Sequence, residues 1–221
     1  MYTAIIIEPR KHQALSYVLN NVLSNLSNEW NVIVFHGTEN LDFLQTLLST
    51  DLSQFKDRIT LQNLGVSNLN IDEYNKLLTA KSFYDHIPTE MFLVFQTDSI
   101  IIPKYAFLID AFLKYDYVGA PWTIDGPLHG NIGNGGFSLR RKTKMLEIIE
   151  KVPYRFGDAE DVYFSISPVS LYKPSWEQSK LFSVEHVFSE ITFGCHKPWD
   201  GRHYQIFQSI HPEVAKLRTL Q

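Results

Sequence analysis

Met91-Phe92-Leu93-Val94-Phe95-Gln96-Thr97-Asp98-Ser99 is the stretch that decides the fold. Five consecutive apolar residues without alternation describe a strand covered on both faces, as a central strand of a parallel sheet must be. The run stops at the polar Gln96–Ser99, and Ile100–Ile102 and Pro103 follow. Upstream, similar runs recur. Ala4–Ile7 is stopped by Glu8-Pro9-Arg10, Trp30–Phe35 ends at His36-Gly37, and Ile59-Thr60-Leu61 is a weaker third strand. Helical patterns lie between them. His12–Leu26 places Leu15, Val18, Leu19, Val22, Leu23 and Leu26 at the spacing of an amphipathic helix. Thr38 is placed to cap a helix over Leu41–Ser49. Asp72–Tyr84 has helical spacing at Tyr74, Leu77, Leu78 and Lys81.

The first half therefore alternates strand and helix, which predicts an α/β fold with a mostly parallel sheet flanked by helices. Downstream, Tyr117–Trp122 reads as a short strand and turn, and Gly126–Gly136 is rich in glycine. Phe137–Arg140 leads into a helix near Arg141–Lys151, and Asp158–Ser165 is a helix opened by acids. The tail reads as loops with one last strand. No repeat, linker or low-complexity tract interrupts the chain, so residues 1–221 read as one domain.

Composition bounds the function. Of 221 residues, 44% are hydrophobic and 20% charged, enough for a packed core and unlike a disordered chain. With 24 acids against 20 bases the net charge is −4, so no basic field is available for nucleic acid. The one cysteine, Cys195, excludes an internal disulfide framework and a Cys-based zinc cluster. No run approaches the ~20 apolar residues of a transmembrane segment. The first ten residues lack the basic region and long apolar run of a secretory signal. A cytoplasmic protein is the expectation.

In open α/β sheets ligands bind beyond the carboxyl ends of the strands. The candidate loops are then Glu8–Lys11, His36-Gly37 and Gln96–Ser99. Asp98, fixed directly after a buried strand, can hold a hard divalent cation that bridges phosphate oxygens, or it can cap a turn. Asn134-Gly135-Gly136-Phe137-Ser138 lets backbone approach a ligand closely, or makes a tight turn between strands. It is neither a GxxxxGK phosphate loop nor a dinucleotide fingerprint. Glu160 and Asp161 offer a carboxylate to take the proton of an attacking hydroxyl, or they compensate a helix dipole. Adjacent helical residues point about 100° apart, so at most one of the two faces a reacting centre. In Gly194–Trp199, His196 is a candidate metal ligand and Lys197 a candidate phosphate partner, with Trp199 as a pocket wall. The alternative is an ordinary C-terminal loop. Cys195 reads as a small hydrophobe.

Taken in order, these stretches resemble a nucleotide-sugar glycosyltransferase of the GT-A type. More narrowly, the chain resembles the glycosyltransferase-like family of unknown function (DUF5672-like) found in large DNA viruses and fungi. The resemblance rests on Ile6–Arg10, Phe35–Gly37, Phe95–Ser99, Tyr117–Trp122, Asn134–Arg140, Glu160–Phe164 and Phe193–His196. It implies a single GT-A-like, Rossmann-like domain. It also implies transfer of a sugar from a nucleotide-sugar donor, UDP-linked, to a hydroxyl of a glycan or glycoprotein acceptor, with inversion. Such enzymes usually carry Asp-x-Asp after a central strand. Here the triplet is Gln96-Thr97-Asp98, which leaves Asp98 as the ligand for Mn2+ or Mg2+ and Gln96 to hydrogen-bond the donor. By the same resemblance Asp161, with Glu160 beside it, is the base, and His196 completes the metal site. Pro9, Arg10, Asn134, Gly135, Gly136 and Lys197 lie against the donor. Retaining relatives carry His-x-x-Gly-x-x-Lys-Pro-Trp; Gly194, Lys197, Pro198 and Trp199 match, but Ile191 stands at the histidine position. Trp122, Phe137 and Trp199 are candidate stacking surfaces for sugar rings, and Phe137 is more at home in the core.

Two other readings remain open at this stage. One is a non-catalytic relative that binds a nucleotide sugar or glycan, favoured by the missing first acid of the triplet. The other is a sugar nucleotidyltransferase, which usually has a glycine-rich phosphate loop after its first strand; Glu8-Pro9-Arg10-Lys11 has no glycine.

Overall fold

The computed structural model describes residues 1–221. Its strands in chain order are β1 (Tyr2–Ile7), β2 (Trp30–His36), β3 (Ile59–Asn63), β4 (Met91–Phe95), β5 (Ser99–Ile101), β6 (Tyr117–Gly119), β7 (Phe137–Arg141), β8 (Ser183–Val184) and β9 (Gly194–His196). The helices are α1 (Leu15–Asn25), α2 (Leu41–Ser49), α3 (Ile71–Leu78), α4 (Ile109–Phe112), α5 (Lys142–Lys151), α6 (Glu160–Ser165), α7 (Trp176–Ser179), α8 (Tyr204–Ile210) and α9 (Pro212–Arg218). No helix is long and apolar enough to cross a membrane.

Six strands form the main sheet in the order β3-β2-β1-β4-β7-β6. β1 pairs in parallel with β2 and β4, and β2 with β3. β7 alone runs the other way, antiparallel to β4 and β6. The mostly parallel α/β architecture expected from the sequence is therefore present, and the continuous apolar runs have a direct cause. Successive side chains of a strand point to opposite faces. Ala4 and Ile6, Val32 and Val34, and Met91, Leu93 and Phe95 enter one core with α1, α8 and α9. Ile5 and Ile7, Ile33 and Phe35, and Phe92 and Val94 enter a second core with Leu78, Met145 and Phe164. Both faces are covered, so both must be apolar.

The antiparallel course of β7 sets the functional edge. Phe137 opens β7 opposite Phe95, the last residue of β4. The loop that precedes β7 thus emerges beside the loop that follows β4. A small second sheet, β5-β9-β8, extends the same edge. In it Ser99 faces His196 and Ile100 faces Cys195.

Three boundaries differ from the sequence reading. Thr38 does not cap α2; the cap position is Asn40, and its side chain makes no capping bond either. Asn40 instead accepts from Gly37 N–H and donates to the carbonyls of Glu8 and Arg10, tying the loop after β2 to the loop after β1. The helix expected over Asp72–Tyr84 is two elements: α3 starts at Ile71 behind an Asn70/Glu73 capping box, and a 3-10 helix spans Lys81–His86. The tail holds more than loops and one strand. α7, two strands, α8 and α9 occupy it, and Phe207, Val214 and Leu217 enter the core.

Candidate active site

β1 and β4 both end at a cleft of about 260 Å3. Its walls are Glu8-Pro9-Arg10 after β1, Asn68–Ile71 and Tyr74 at the start of α3, Gln96-Thr97-Asp98 after β4, and Lys197. Two of the three loops picked out by the carboxyl-edge rule line it. The third, His36-Gly37, does not. Gly37 packs so closely on Pro9 and Val66 that a Cβ there would strike their backbone carbonyls, so this loop supports the cleft from behind.

Arg10 is held rigidly. Its Nε and one terminal nitrogen donate to the two carboxylate oxygens of Glu8, each at 2.8 Å, and its backbone N–H donates to Glu8 as well. Such a fork keeps the guanidinium planar against the cleft wall while more than half of the side chain stays exposed.

The pairing of β5 with β9 brings His196 beside Asp98. His196 Nε2 lies 3.3 Å from Asp98 Oδ1 and 3.2 Å from Gln96 Oε1. Its Nδ1 lies 3.1 Å from Asn134 Oδ1 and 3.4 Å from Glu185 Oε1. Burial alone would lower the His196 pKa, but the carboxylates of Asp98 and Glu185 outweigh it and raise it to about 9. Burial pushes Asp98 upward, yet His196 and Lys197 hold it below its usual range. Lys197 Nζ lies 3.5 Å from Asp98 Oδ2. Lys197 also adopts a left-handed backbone, φ 42°, which is rare for a side chain of its size. Its N–H donates to the Asp98 carbonyl, which holds this conformation in place.

The metal expectation can be tested against this geometry. Asp98 Oδ1 is buried and has no hydrogen-bond donor; His196 is near enough to interact electrostatically but does not point a donor at it. A buried carboxylate oxygen without a donor and an amide oxygen form a donor set that suits Mn2+ or Mg2+, joined by the His196 imidazole when a cation displaces its proton. No cluster of three His, Cys, Asp or Glu residues surrounds it. Divalent ions of this kind are commonly held by one or two protein groups, with substrate phosphate oxygens completing the shell. The residues present fit such an ion.

The glycine pair makes room for the protein's own side chains. A Cβ on Gly136 would overlap the His196 imidazole, and one on Gly135 would overlap the Glu160 carboxylate. The space these glycines leave is filled by the protein's own side chains. Their N–H groups are also engaged: Gly135 donates to Asp161 Oδ2 at 3.0 Å and Gly136 to Asn134 Oδ1 at 3.2 Å.

Glu160 and Asp161 divide as neighbouring helical residues must. Glu160 turns inward to Arg140, a fully buried arginine, and accepts two hydrogen bonds at 2.7 and 2.9 Å. Arg140 also lies over the rings of Tyr117 and Phe164. Asp161 turns toward Gly135, at the edge of the sheet. Burial raises its pKa most, and the Glu160 charge adds to this. Hydrogen bonds from the Gly135 and Val162 N–H groups oppose both, leaving Asp161 at about 6.

Of the aromatic candidates, Phe137 is fully buried against Phe182 and Phe193. Trp199 packs against the core beneath the Arg218 guanidinium and lines no cleft wall, contrary to its reading as a pocket wall. Cys195 is buried, as a small hydrophobe should be. Sequence reasoning missed Glu185 and Tyr74. Glu185 follows a two-residue strand and carries no local signal. Tyr74, whose hydroxyl accepts from Gln96, stands within the legible capping-box helix α3.

A mostly parallel α/β sheet with a polar cleft at the carboxyl ends of β1 and β4 is similar to the GT-A glycosyltransferase structures. The glycosyltransferase GlyE of Streptococcus pneumoniae TIGR4 superposes with a TM-score of 0.56 at 11% identity, over 98% of this chain and 63% of that one. S. aureus TarS 1-349 gives 0.54 at 13% identity, over 99% and 68%. The mannosyltransferase PcManGT from Pyrobaculum calidifontis, in complex with GDP-Man and Mn2+, gives 0.50 at 12% identity, over 72% and 49%. At these identities the likeness is one of fold. The chain itself belongs to the family described as "Protein of unknown function (DUF5672)", whose model matches residues 58–196. No curated protein sequence matches it.

Proposed function

We propose that residues 1–221 act as one catalytic domain that transfers a sugar from a nucleoside-diphosphate donor, a UDP-sugar, to a hydroxyl of a glycan or glycoprotein, with inversion. The observation that supports this most is the convergence of two kinds of group at one sheet edge. Asp98, His196 and Lys197 stand where a diphosphate can be held. Across Gly135 and Gly136, Asp161 stands as a carboxylate poised near neutral pH.

In the reaction the acceptor oxygen attacks the anomeric carbon. Its proton passes to Asp161, and the bond from the anomeric carbon to the phosphate oxygen breaks with its electron pair leaving on the nucleoside diphosphate. A base with a pKa near 6 is ionised at neutral pH yet still basic enough to accept that proton. Glu160, paired with Arg140, fixes the helix start on which Asp161 stands. Lys197 meets the negative charge that develops on the leaving diphosphate. Asp98 and His196, with Gln96 beside them, are the groups that would hold Mn2+ or Mg2+, which supplies further charge neutralisation to the diphosphate. Arg10 and Pro9 form the wall for the nucleoside.

The test is a thermal-shift titration with UDP, GDP and CMP and their sugars, each with Mn2+ and with EDTA. A ligand that binds only the native state raises the melting temperature by mass action. A shift with UDP-sugars that shrinks in EDTA is expected. No shift with any nucleotide would overturn the donor reading.

A further inference from the structure

We propose that a second groove, on the far side of the Glu185–His196 contact, binds the acceptor, and that this acceptor is an acidic saccharide. The assignment rests on the transferase reading above and adds the acceptor class to it. The groove measures about 410 Å3, larger than the donor cleft. It is lined by the loop after β6, by α7, by the residues after β8 and by the segment that leads into α8.

Its chemistry has two parts. The first is aromatic. The Trp176 ring is fixed by an Nε1–H bond to the Trp122 carbonyl at 2.9 Å, and Phe188 lies against His203 with ring centroids 5.2 Å apart. Both rings are half-buried in the groove wall. Immobilised aromatic faces suit the C–H faces of a pyranose. The second part is positive charge. Arg202 is exposed on the groove and makes no ion pair. Lys180 sits 4.8 Å over the Trp176 ring and pairs with Glu177. Asp125 is the one acid on the groove wall, which also carries the His186 and His203 imidazoles. An unpaired guanidinium beside an aromatic wall selects a sugar that carries a carboxylate or a phosphate.

The groove shares its structure with the donor site. Glu185 touches His196 on the donor side, and the next residue, His186, lines the groove. The loop that begins at Thr123 on the groove continues to Asn134–Gly136, which packs on His196 and Asp161.

Three probes test this by calorimetry: a glucuronate-terminated oligosaccharide, the same oligosaccharide ending in a sugar phosphate, and its neutral glucose-terminated form. UDP-sugar affinity is measured on the same samples. The expectation is that an acidic probe binds at least about tenfold tighter than the neutral one. Arg202→Glu should erase that preference and leave UDP-sugar affinity unchanged. Which acidic probe is preferred assigns carboxylate or phosphate. Equal binding of acidic and neutral probes, or an acidic preference that survives Arg202→Glu, overturns the proposal even where the donor binds normally. An Arg202-dependent acidic preference in a chain that binds no nucleotide sugar would uphold the groove and overturn the transferase reading. Because Arg202 is exposed, its variants should fold, and Lys180→Ala gives a second, weaker loss of preference as a check.

Discussion

The two halves of the chain are built on different logic. Through Asp98, each strand pairs with a neighbour in parallel, β1, β2 and β4 are buried on both faces while β3 is an edge strand, and the helices between them cover the sheet. Beyond Asp98, strands of two to five residues pair across long stretches of sequence: β5 with β9, and β4 with β7. The first half is held by apolar burial. The second adds buried polar contacts to its apolar core, among them Arg140–Glu160, Asn134–His196 and Glu185–His196. The first half contributes a wall of the cleft. The second adds Lys197 to it and brings His196 beside Asp98, and the candidate chemistry lies where the halves meet.

The sharpest way to break this contrast is Arg140→Met. It leaves Glu160 buried without its counter-charge, which costs about 3–5 kcal/mol. Urea denaturation should show that loss, and the double variant Arg140→Met/Glu160→Leu should recover most of it. A loss below about 1 kcal/mol would mean the pair is not what holds the second half. Next, Asp98→Ala or His196→Ala should weaken donor binding in Mn2+ by about 10–100-fold, the usual range for a perturbed metal shell. Both should match the parent protein in EDTA. Equal affinity in Mn2+ and EDTA for the parent protein would sink the metal assignment.

The pH profile sharpens the role of Asp161. Transfer should fall about tenfold per unit as the pH drops below about 6, where the base becomes protonated. The same shift has a stability sign. The folded-state pKa lies above the ordinary 3.8, so the native chain holds a proton that the unfolded chain releases. The contribution of Asp161 to stability therefore falls as pH rises from about 4 to about 6 and remains lost above it. Asp161→Asn should melt no lower than the parent at pH 8, although it gives up an acceptor for the Val162 N–H. The smallest effect is expected at Lys197. Lys197→Gly relieves the left-handed backbone and should change stability by less than about 1 kcal/mol, while donor affinity drops severalfold. Lys197→Ala keeps the strain and should be the less stable of the two.

The contrast also explains what could be read from the sequence. Ala4–Ile7, Trp30–Phe35 and Met91–Phe95 declare themselves because burial on both faces demands unbroken apolar runs. Asp98 is legible because it stands directly after such a run. Asp161 is legible as one of two acids at a helix start, and the 100° offset between neighbours already implies that the pair divides. Glu185 and the Arg140–Glu160 pair are not legible, since each depends on a partner distant in sequence. Gly135 and Gly136 mark the site as glycines, but that their missing Cβ atoms accommodate Glu160 and His196 depends on distant partners. Phe207, Val214 and Leu217 carry no clear sequence signal, because short terminal helices take their identity from the core they cover.

The most direct measurement is single-turnover transfer by Asp161→Asn beside calorimetric donor binding on the same sample. Transfer should fall at least about 100-fold, within the range contributed by a positioned base, while donor affinity stays within a few-fold. Transfer retained at the parent rate, or donor binding lost with no change in turnover of the bound donor, would contradict the role of Asp161 as base.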